Sequence, residues 1–302
     1  MSAELLFSIV IPTFNRAEFI GKTVQSVIQQ SYTNWELFII DDGSTDHTED
    51  VVKAINDQRV HYTKINNGER GRARNHGTKM AKGDYIYFLD SDDLIYPNHL
   101  ETAFRYLDKK NIELLWLPYE QVDQTGKVLR PHRRLKKSVL DTLISDGNFM
   151  SCHGVFLRKD IAERHPFVEE RELAGSEDME LWLRLASRYP FKVGTEVTSC
   201  LVEHDDRSVM NFNDIGKLVR RKELMLRHLE QDKVVMRKVG ESFGKITSSA
   251  YSYIALHAMM NRNTSSRLAW KFLWKAWEEE PYNVFTRRTM AVIKHGLIRM
   301  LG

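Results

Sequence analysis

The chain has 302 residues, room for one large domain or a domain with a smaller companion. It is 42% hydrophobic and 28% charged, an ordinary globular balance, and its net charge of +3 gives no argument for nucleic acid as a partner. No apolar run approaches the roughly 18 residues of a membrane span. The start, Met1-Ser2-Ala3-Glu4, lacks a basic region and a long apolar stretch, so no signal peptide is visible. Two cysteines, Cys152 and Cys200, make no disulfide framework and fit a reducing compartment, so a cytoplasmic location is expected.

Phe7 to Ile11 reads as a buried strand ending at Pro12-Thr13, and Ala17 to Gln29 follows with apolar residues at helical spacing. Glu36 to Ile40 is a second buried strand, ending in Asp41-Asp42-Gly43-Ser44; Thr45 or Asp46 can cap the next helix. Val60 to Thr63 is a weaker strand. Gly68 to Ala81 is a glycine-punctuated turn and helix. Tyr85 to Leu89 is again a buried strand, and it ends in Asp90-Ser91-Asp92-Asp93. Strands and helices alternating at short spacing predict βαβ units on a parallel sheet. Right-handed crossovers then bring three polar strand ends to one edge. Like charges at the end of a buried strand repel and need a counter-cation, for which a hard divalent ion such as Mg²⁺ or Mn²⁺ is suited. An acidic turn capping the next helix is the simpler alternative.

No glycine-rich dinucleotide or P-loop signature is present, which argues against those two folds. Pro97 to Lys109 is a further helix, Ile112 to Leu117 a strand, Val122 to Leu129 a hairpin around Thr125-Gly126, and Arg130 to Lys137 a basic loop. His153 to Leu157 is a strand and Lys159 to Arg164 a helix. Glu177 and Asp178 open a helix running to Tyr189, where acids also serve the helix dipole. Short strands at Lys192-Val193 and Cys200 to Glu203 precede a polar turn, His204 to Ser208. From Asp214 onward only helical periodicity remains, with seventeen Lys and Arg against seven Asp and Glu from Ile215. In that tail Trp270, Phe272, Leu273, Trp274 and Trp277 sit among Arg267, Lys271 and Lys275. The stripe predicts either helix packing or docking on an anionic membrane surface.

Four ordered motifs resemble those of the family 2 glycosyltransferases, which have the GT-A fold. They are Val10-Ile11-Pro12-Thr13-Phe14-Asn15-Arg16, Ile40-Asp41-Asp42-Gly43-Ser44-Thr45-Asp46, Gly71-Arg72-Ala73-Arg74-Asn75-x-Gly77 and Ala81-x-Gly83 through Asp93. The resemblance is strong over about the first 110 residues and extends weakly to about residue 208 through Glu177-Asp178 and His204. It implies an α/β nucleotide-binding sheet flanked by helices over 1–213, with a helical region over 214–302. It implies that Asp42, with Pro12, Thr13 and Asn15, reads the nucleotide base, with Asp41 beside it, and that Arg70 or Arg72 and Ser91 contact the nucleotide. Asp90 and Asp92, with His204, stand in the metal region, Asp92 foremost. Asp178 is the implied catalytic base, with Glu177 its neighbour.

The function implied is inverting, metal-dependent transfer from a nucleotide-sugar, a UDP-sugar, to a glycan or lipid-linked acceptor in surface polysaccharide or glycoconjugate synthesis. Peripheral contact with the inner membrane face through the basic tail goes with it. Two alternatives were weighed. A nucleotidyltransferase would want a glycine-rich basic loop after the first strand, and Pro12-Thr13-Phe14-Asn15 is not one. An inactive binding module is disfavoured by the intact set Asp42, Asp90, Asp92 and Asp178.

Overall fold

The computed structural model describes residues 4–108, 111–132, 134–205 and 214–301. Lys109, Arg133 and the end of the expected polar turn at 206–208 lie outside them. The chain divides into two units. The first comprises Met1–Lys136, Met150–Arg171 and Tyr189–Asp205; the second comprises Lys137–Phe149, Glu172–Arg188 and Asp206–Gly302. The sequence boundary at 213/214 therefore captures only part of the division. Two earlier segments, one of them carrying Glu177 and Asp178, fold with the carboxyl-terminal helices.

In chain order the first unit holds β1 (Phe7–Thr13), α1 (Ala17–Ile28), β2 (Trp35–Asp41), α2 (Thr48–Lys53), β3 (Val60–Lys64) and α3 (Glu69–Met80). It continues with β4 (Tyr85–Phe88), β5 (Leu94–Ile95), α4 (His99–Leu107), β6 (Leu114–Trp116), β7 (Glu120–Val122) and β8 (Val128–Arg130). The second unit contributes α5 (Val139–Asp146) before the first resumes with β9 (Val155–Arg158) and α6 (Lys159–Arg164). Then come α7 (Glu177–Ala186) of the second unit and β10 (Phe191–Val193) and β11 (Ser199–Val202) of the first. The helices α8 (Ile215–Gln231), α9 (Lys233–Val239), α10 (Phe243–Met260), α11 (Ser266–Glu279) and α12 (Arg287–Leu301) complete the second unit.

The main sheet has seven strands in the order β10-β6-β9-β4-β1-β2-β3. It is parallel except for β9, which runs antiparallel to both β4 and β6. Every residue of β1 is buried, as both-faced burial in a parallel sheet requires. A second sheet pairs β5, β11, β7 and β8. The expected strand from His153 is shorter: Cys152–Gly154 forms a 3₁₀ turn, and pairing starts at Val155. Gly77 lets α3 lie close on β1, since a Cβ there would come within 2.3 Å of Val10 Cγ1. Register places Thr13 beside Asp41, and Leu89 N donates to Val10 O at 3.0 Å, so the ends of β1, β2 and β4 share one edge.

The elements described in the second unit are helices, packed around Ile254, Ala258, Met259, Ala269, Phe272, Leu273 and Val292. The Trp-rich stripe therefore divides. Phe272 and Leu273 are core, whereas Trp274 is 61% exposed. The larger outward apolar groups lie in the next segment, with Tyr282 at 78% and Phe285 at 82%. Cys152 and Cys200 are buried free thiols.

Candidate active site

The edge where β1, β2 and β4 end is built by loops that fasten one another. Asn15 holds a left-handed backbone at φ +50°, and its Oδ1 accepts from Thr45 N at 2.8 Å while its own N–H donates to Ser44 Oγ at 2.9 Å. Non-glycine residues reach that conformation seldom, and asparagine does so more readily than most. Asp46 Oδ2 accepts from Ala17 N at 3.1 Å and so caps the start of α1 from the neighbouring loop. Thr13 O accepts from Asp42 N at 2.8 Å, which ties the two loops at the sheet itself. Pro12 closes the buried strand, and the Thr13 hydroxyl is buried with no partner among the described residues.

The two adjacent aspartates differ sharply. Asp41 is fully buried, accepting from Ser44 N at 2.6 Å and from Tyr62 OH at 2.6 Å, so its carboxylate builds the turn. Asp42 faces the start of α3, where Oδ1 accepts from Gly68 N at 2.7 Å and Oδ2 from Glu69 N at 2.8 Å. Burial raises its pKa against the opposing pull of those two N–H groups and of the Arg171 and Arg72 guanidinium groups.

In the acidic stretch after β4 the three expected metal-region residues do not converge. His204 Nε2 lies 3.2 Å from Asp92 Oδ2, although 112 residues separate them. Its ring stacks on Phe19 with centroids 4.2 Å apart, and its Nδ1 is buried with no partner among the described residues. Arg16 Nε lies 3.6 Å from the same Asp92 oxygen. Asp90 turns instead to Arg74, whose buried Nη2 donates to Asp90 Oδ1 at 2.7 Å. Burial alone would raise the Asp90 pKa, but Arg74, helped by Arg70, holds it below the ordinary range. Ser91 is buried, and its carbonyl accepts from Thr23 Oγ1 at 3.0 Å.

Among the described residues no three His, Cys, Asp or Glu side chains are grouped to hold a metal by themselves. The Asp92–His204 pair nevertheless fits a divalent cation that draws its other ligands from water and substrate phosphates, the usual habit of Mg²⁺. Arg74 escaped the sequence reading. Its signal was a basic residue four positions after Arg70, turned inward on a helix whose buried face is Gly71, Ala73, Asn75, Gly77 and Thr78. Arg72 stays exposed on the other face.

Glu177 and Asp178 belong to the helical unit. Glu177 is buried, and its carboxylate accepts from Gly175 N. Asp178 is partly exposed in the first turn of α7, with Oδ2 accepting from Asn148 Nδ2 at 2.8 Å and Oδ1 from Met179 N at 2.8 Å. One carboxylate of the pair therefore shapes the turn, and the other reaches solvent with its orientation set by an amide. Asn148 gave no sequence signal, since it lies 30 residues away in a loop.

Comparison with known proteins follows this geometry. The profile of Glycosyl transferase family 2 matches residues 8–165. The chain is 32% identical over 189 residues to the Escherichia coli UDP-Glc:alpha-D-GlcNAc-diphosphoundecaprenol beta-1,3-glucosyltransferase WfgD, covering 60% of this chain and 70% of that one. It is 28% identical over 203 residues to the putative teichuronic acid biosynthesis glycosyltransferase TuaG of Bacillus subtilis, covering 66% and 78%. Against uncharacterized glycosyltransferases of Rickettsia bellii and Rickettsia typhi the match spans only 30% and 60% of their lengths. Staphylococcus aureus TarS 1-349, solved with UDP-GlcNAc, shares the fold at TM-score 0.62 and 15% identity, over 91% of this chain and 90% of that one. The mannosyltransferase PcManGT of Pyrobaculum calidifontis, solved with GDP-Man and Mn²⁺, does so at TM-score 0.57 and 16% identity, over 98% and 87%. The GT-A fold is thus shared across most of the chain, and with the family profile covering more than half its length, the chain belongs to glycosyl transferase family 2.

Proposed function

We propose that the chain is an inverting, metal-dependent glycosyltransferase that moves a sugar from a UDP-sugar to a hydroxyl of a glycan or lipid-linked acceptor during surface polysaccharide or glycoconjugate synthesis. The observation that carries this reading is the meeting of Asp92 and His204 on the sheet edge that also holds Asp42. The names of WfgD and TuaG support a diphosphate-lipid or polymer acceptor.

In this reading Asp42 accepts the ring N–H of the base. Its oxygens already take two backbone N–H groups and the Asn67 amide, and an ionised carboxylate offers about four acceptor positions, so one remains. The partnerless Thr13 hydroxyl and the Pro12–Asn15 turn line the same edge. Arg70 and Arg72 supply positive charge toward the diphosphate. Asp92 and His204 would hold the cation, with Asp90 kept ionised behind them by Arg74. A bound Mg²⁺ or Mn²⁺ supplies Lewis-acid stabilisation of the charge that develops on the departing nucleoside diphosphate. Asp178 takes the proton of the acceptor hydroxyl as that oxygen bonds to the anomeric carbon and the bond to the diphosphate breaks. A single displacement of this kind inverts the anomeric centre. Asn148 and the Met179 N–H at the start of α7 orient Asp178.

A thermal-shift screen of nucleotides and nucleotide-sugars, with and without Mn²⁺, tests the reading, because a ligand of the native state raises the midpoint. Metal-dependent stabilisation by UDP or a UDP-sugar is expected, followed by UDP release on adding acceptor. Equal stabilisation in EDTA would remove the metal from the reading.

A peripheral membrane position is part of the proposal. The outward face of α12 carries Arg287, Met290, Lys294 and Leu297 at helical spacing, directly after exposed Tyr282 and Phe285. Cations mixed with aromatic and aliphatic groups suit an anionic bilayer surface. Among the described residues no helix is long and apolar enough to cross a membrane.

A further inference from the structure

The helical unit carries a charged centre of its own. Lys222 of α8 donates from Nζ to Ser176 Oγ at 3.0 Å, and Ser176 immediately precedes α7, two residues before Asp178. The same ammonium lies 5.0 Å from the centre of the Tyr253 ring of α10. Arg288 of α12 lies 5.5 Å from that ring and donates through Nη1 to Ser249 O, Ser249 Oγ and Ser252 Oγ at 2.9, 3.1 and 3.2 Å. Arg221 donates from Nη1 to Ala174 O at 3.2 Å. Its approach depends on Gly175, which sits at φ +89° and where a Cβ would come within 2.4 Å of that nitrogen. His257 lies tilted against Tyr253 with ring centroids 4.3 Å apart. All five of these residues are half-buried.

Three cations around one phenol repel one another, and such a group persists when something compensates it. Among the described residues no carboxylate forms an ion pair with Lys222 or Arg288. The carboxylates facing Lys222 are Glu177 and Asp178, and both are engaged at the start of α7. Burial and then Arg221 push the Lys222 ammonium down to about 8. Burial and then Arg288, Arg221 and Lys222 push His257 down to about 4. Burial leads both shifts, and the neighbouring cations add to it. A phosphate suits the vacancy in charge, since it pairs with guanidinium forks and takes an ammonium as a point charge.

We propose that Arg221, Lys222 and Arg288 form a subsite for a phosphate or diphosphate group carried by the acceptor, beside the start of α7. The assignment to the acceptor rests on Asp178 as the base, because Lys222 then bonds Ser176, the residue that precedes the helix taking the acceptor's proton. The shared chemistry is phosphate, and the donor's diphosphate is the other source.

Titration calorimetry of the full chain with inorganic pyrophosphate in EDTA separates them. The wild type is expected to bind, and Lys222→Gln to bind about tenfold more weakly, the loss of one charge-assisted hydrogen bond. Lys222→Arg should keep the affinity, and Asp92→Asn should bind like the wild type. No pyrophosphate binding by the wild type, or equal binding by Lys222→Gln, overturns the subsite. A matching loss in Asp92→Asn, or weakened UDP binding in Mn²⁺ by Lys222→Gln, assigns the anion to the donor and overturns the acceptor claim. Should Lys222→Gln not fold, the wild type decides: pyrophosphate must slow acylation of Lys222 by acetic anhydride, read by peptide mass, and an unprotected Lys222 overturns the proposal. None of these readings uses turnover. Full turnover in Asp178→Asn would remove the base, and Lys222-dependent pyrophosphate binding would still support the phosphate subsite itself.

Discussion

The sheet unit and the helical unit carry their chemistry in different ways. In the sheet unit the polar groups stand at the ends of buried strands, where Gly68 N and Glu69 N hold Asp42 and the side chains of Arg74 and His204 meet Asp90 and Asp92. In the helical unit the charged groups come from α7, α8 and α12, and both side chains and backbone groups of other segments hold them, as Asn148 holds Asp178 and Ser249 holds Arg288. Strand ends are fixed by topology, so a short sequence run suffices to place them. Helix faces converge only through tertiary packing, so their partners lie far apart in the chain.

The largest expected effect breaks the sheet side. Asp92→Asn should lower transfer by about 10³-fold or more, the loss of several kcal/mol of Lewis-acid stabilisation. It should also abolish the Mn²⁺ dependence of UDP binding and leave the melting temperature of the free protein near wild type. Asp178→Asn breaks the helical side instead. Transfer should fall about 10²–10⁴-fold while UDP-sugar affinity stays near wild type. Glu177→Gln should lose less, because buried Glu177 is spent on the Gly175 N–H. A collapse in Glu177→Gln alone would move the base by one residue.

A smaller effect separates folding from chemistry. Arg74→Met leaves the Asp90 carboxylate without its buried partner and should cost about 3 kcal/mol of stability at pH 7. The sign follows from Asp90, whose folded pKa lies below its ordinary value. Its stabilisation is fully present above the unfolded carboxylate pKa of about 4 and is lost as pH falls through the lower folded value. The gap between wild type and variant should therefore shrink as pH drops below about 4, read by urea unfolding. A gap that does not vary with pH would assign the loss to packing of Arg74 on Phe167.

These cases show what the sequence could carry. Short continuous apolar runs and their acidic ends located Asp42, Asp90 and Asp92, because such runs are a local property of the chain. Asp41 and Asp42 look alike in sequence, and only the Tyr62 hydroxyl and the turn to Ser44 divide them. Arg74, Asn148 and Lys222 were illegible because their partners are set by packing. The Trp-rich helix misdirected attention for the same reason: amphipathic spacing gives a buried face without saying what covers it.

The smallest effect concerns that helical surface. Tyr282 and Phe285 are more exposed than any Trp of α11, and Arg287 and Lys294 follow on the outward face of α12. If this face meets an anionic bilayer, each cation near the surface contributes about 1 kcal/mol. Arg287→Gln with Lys294→Gln should then weaken binding to phosphatidylserine vesicles about thirtyfold in a sedimentation assay at low salt. Raising salt should produce the same loss in the wild type, because the Debye length shortens to about 3 Å at 1 M. Tyr282→Ser with Phe285→Ser should weaken binding at every salt concentration, since the apolar contribution is not screened. Both pairs lie outside the residues assigned to donor, base and phosphate, so UDP-sugar affinity should be unchanged. Wild-type protein that ignores such vesicles at low salt would make the exposed face irrelevant to membranes, and the cationic excess of the helical unit would then fall to the phosphate subsite alone.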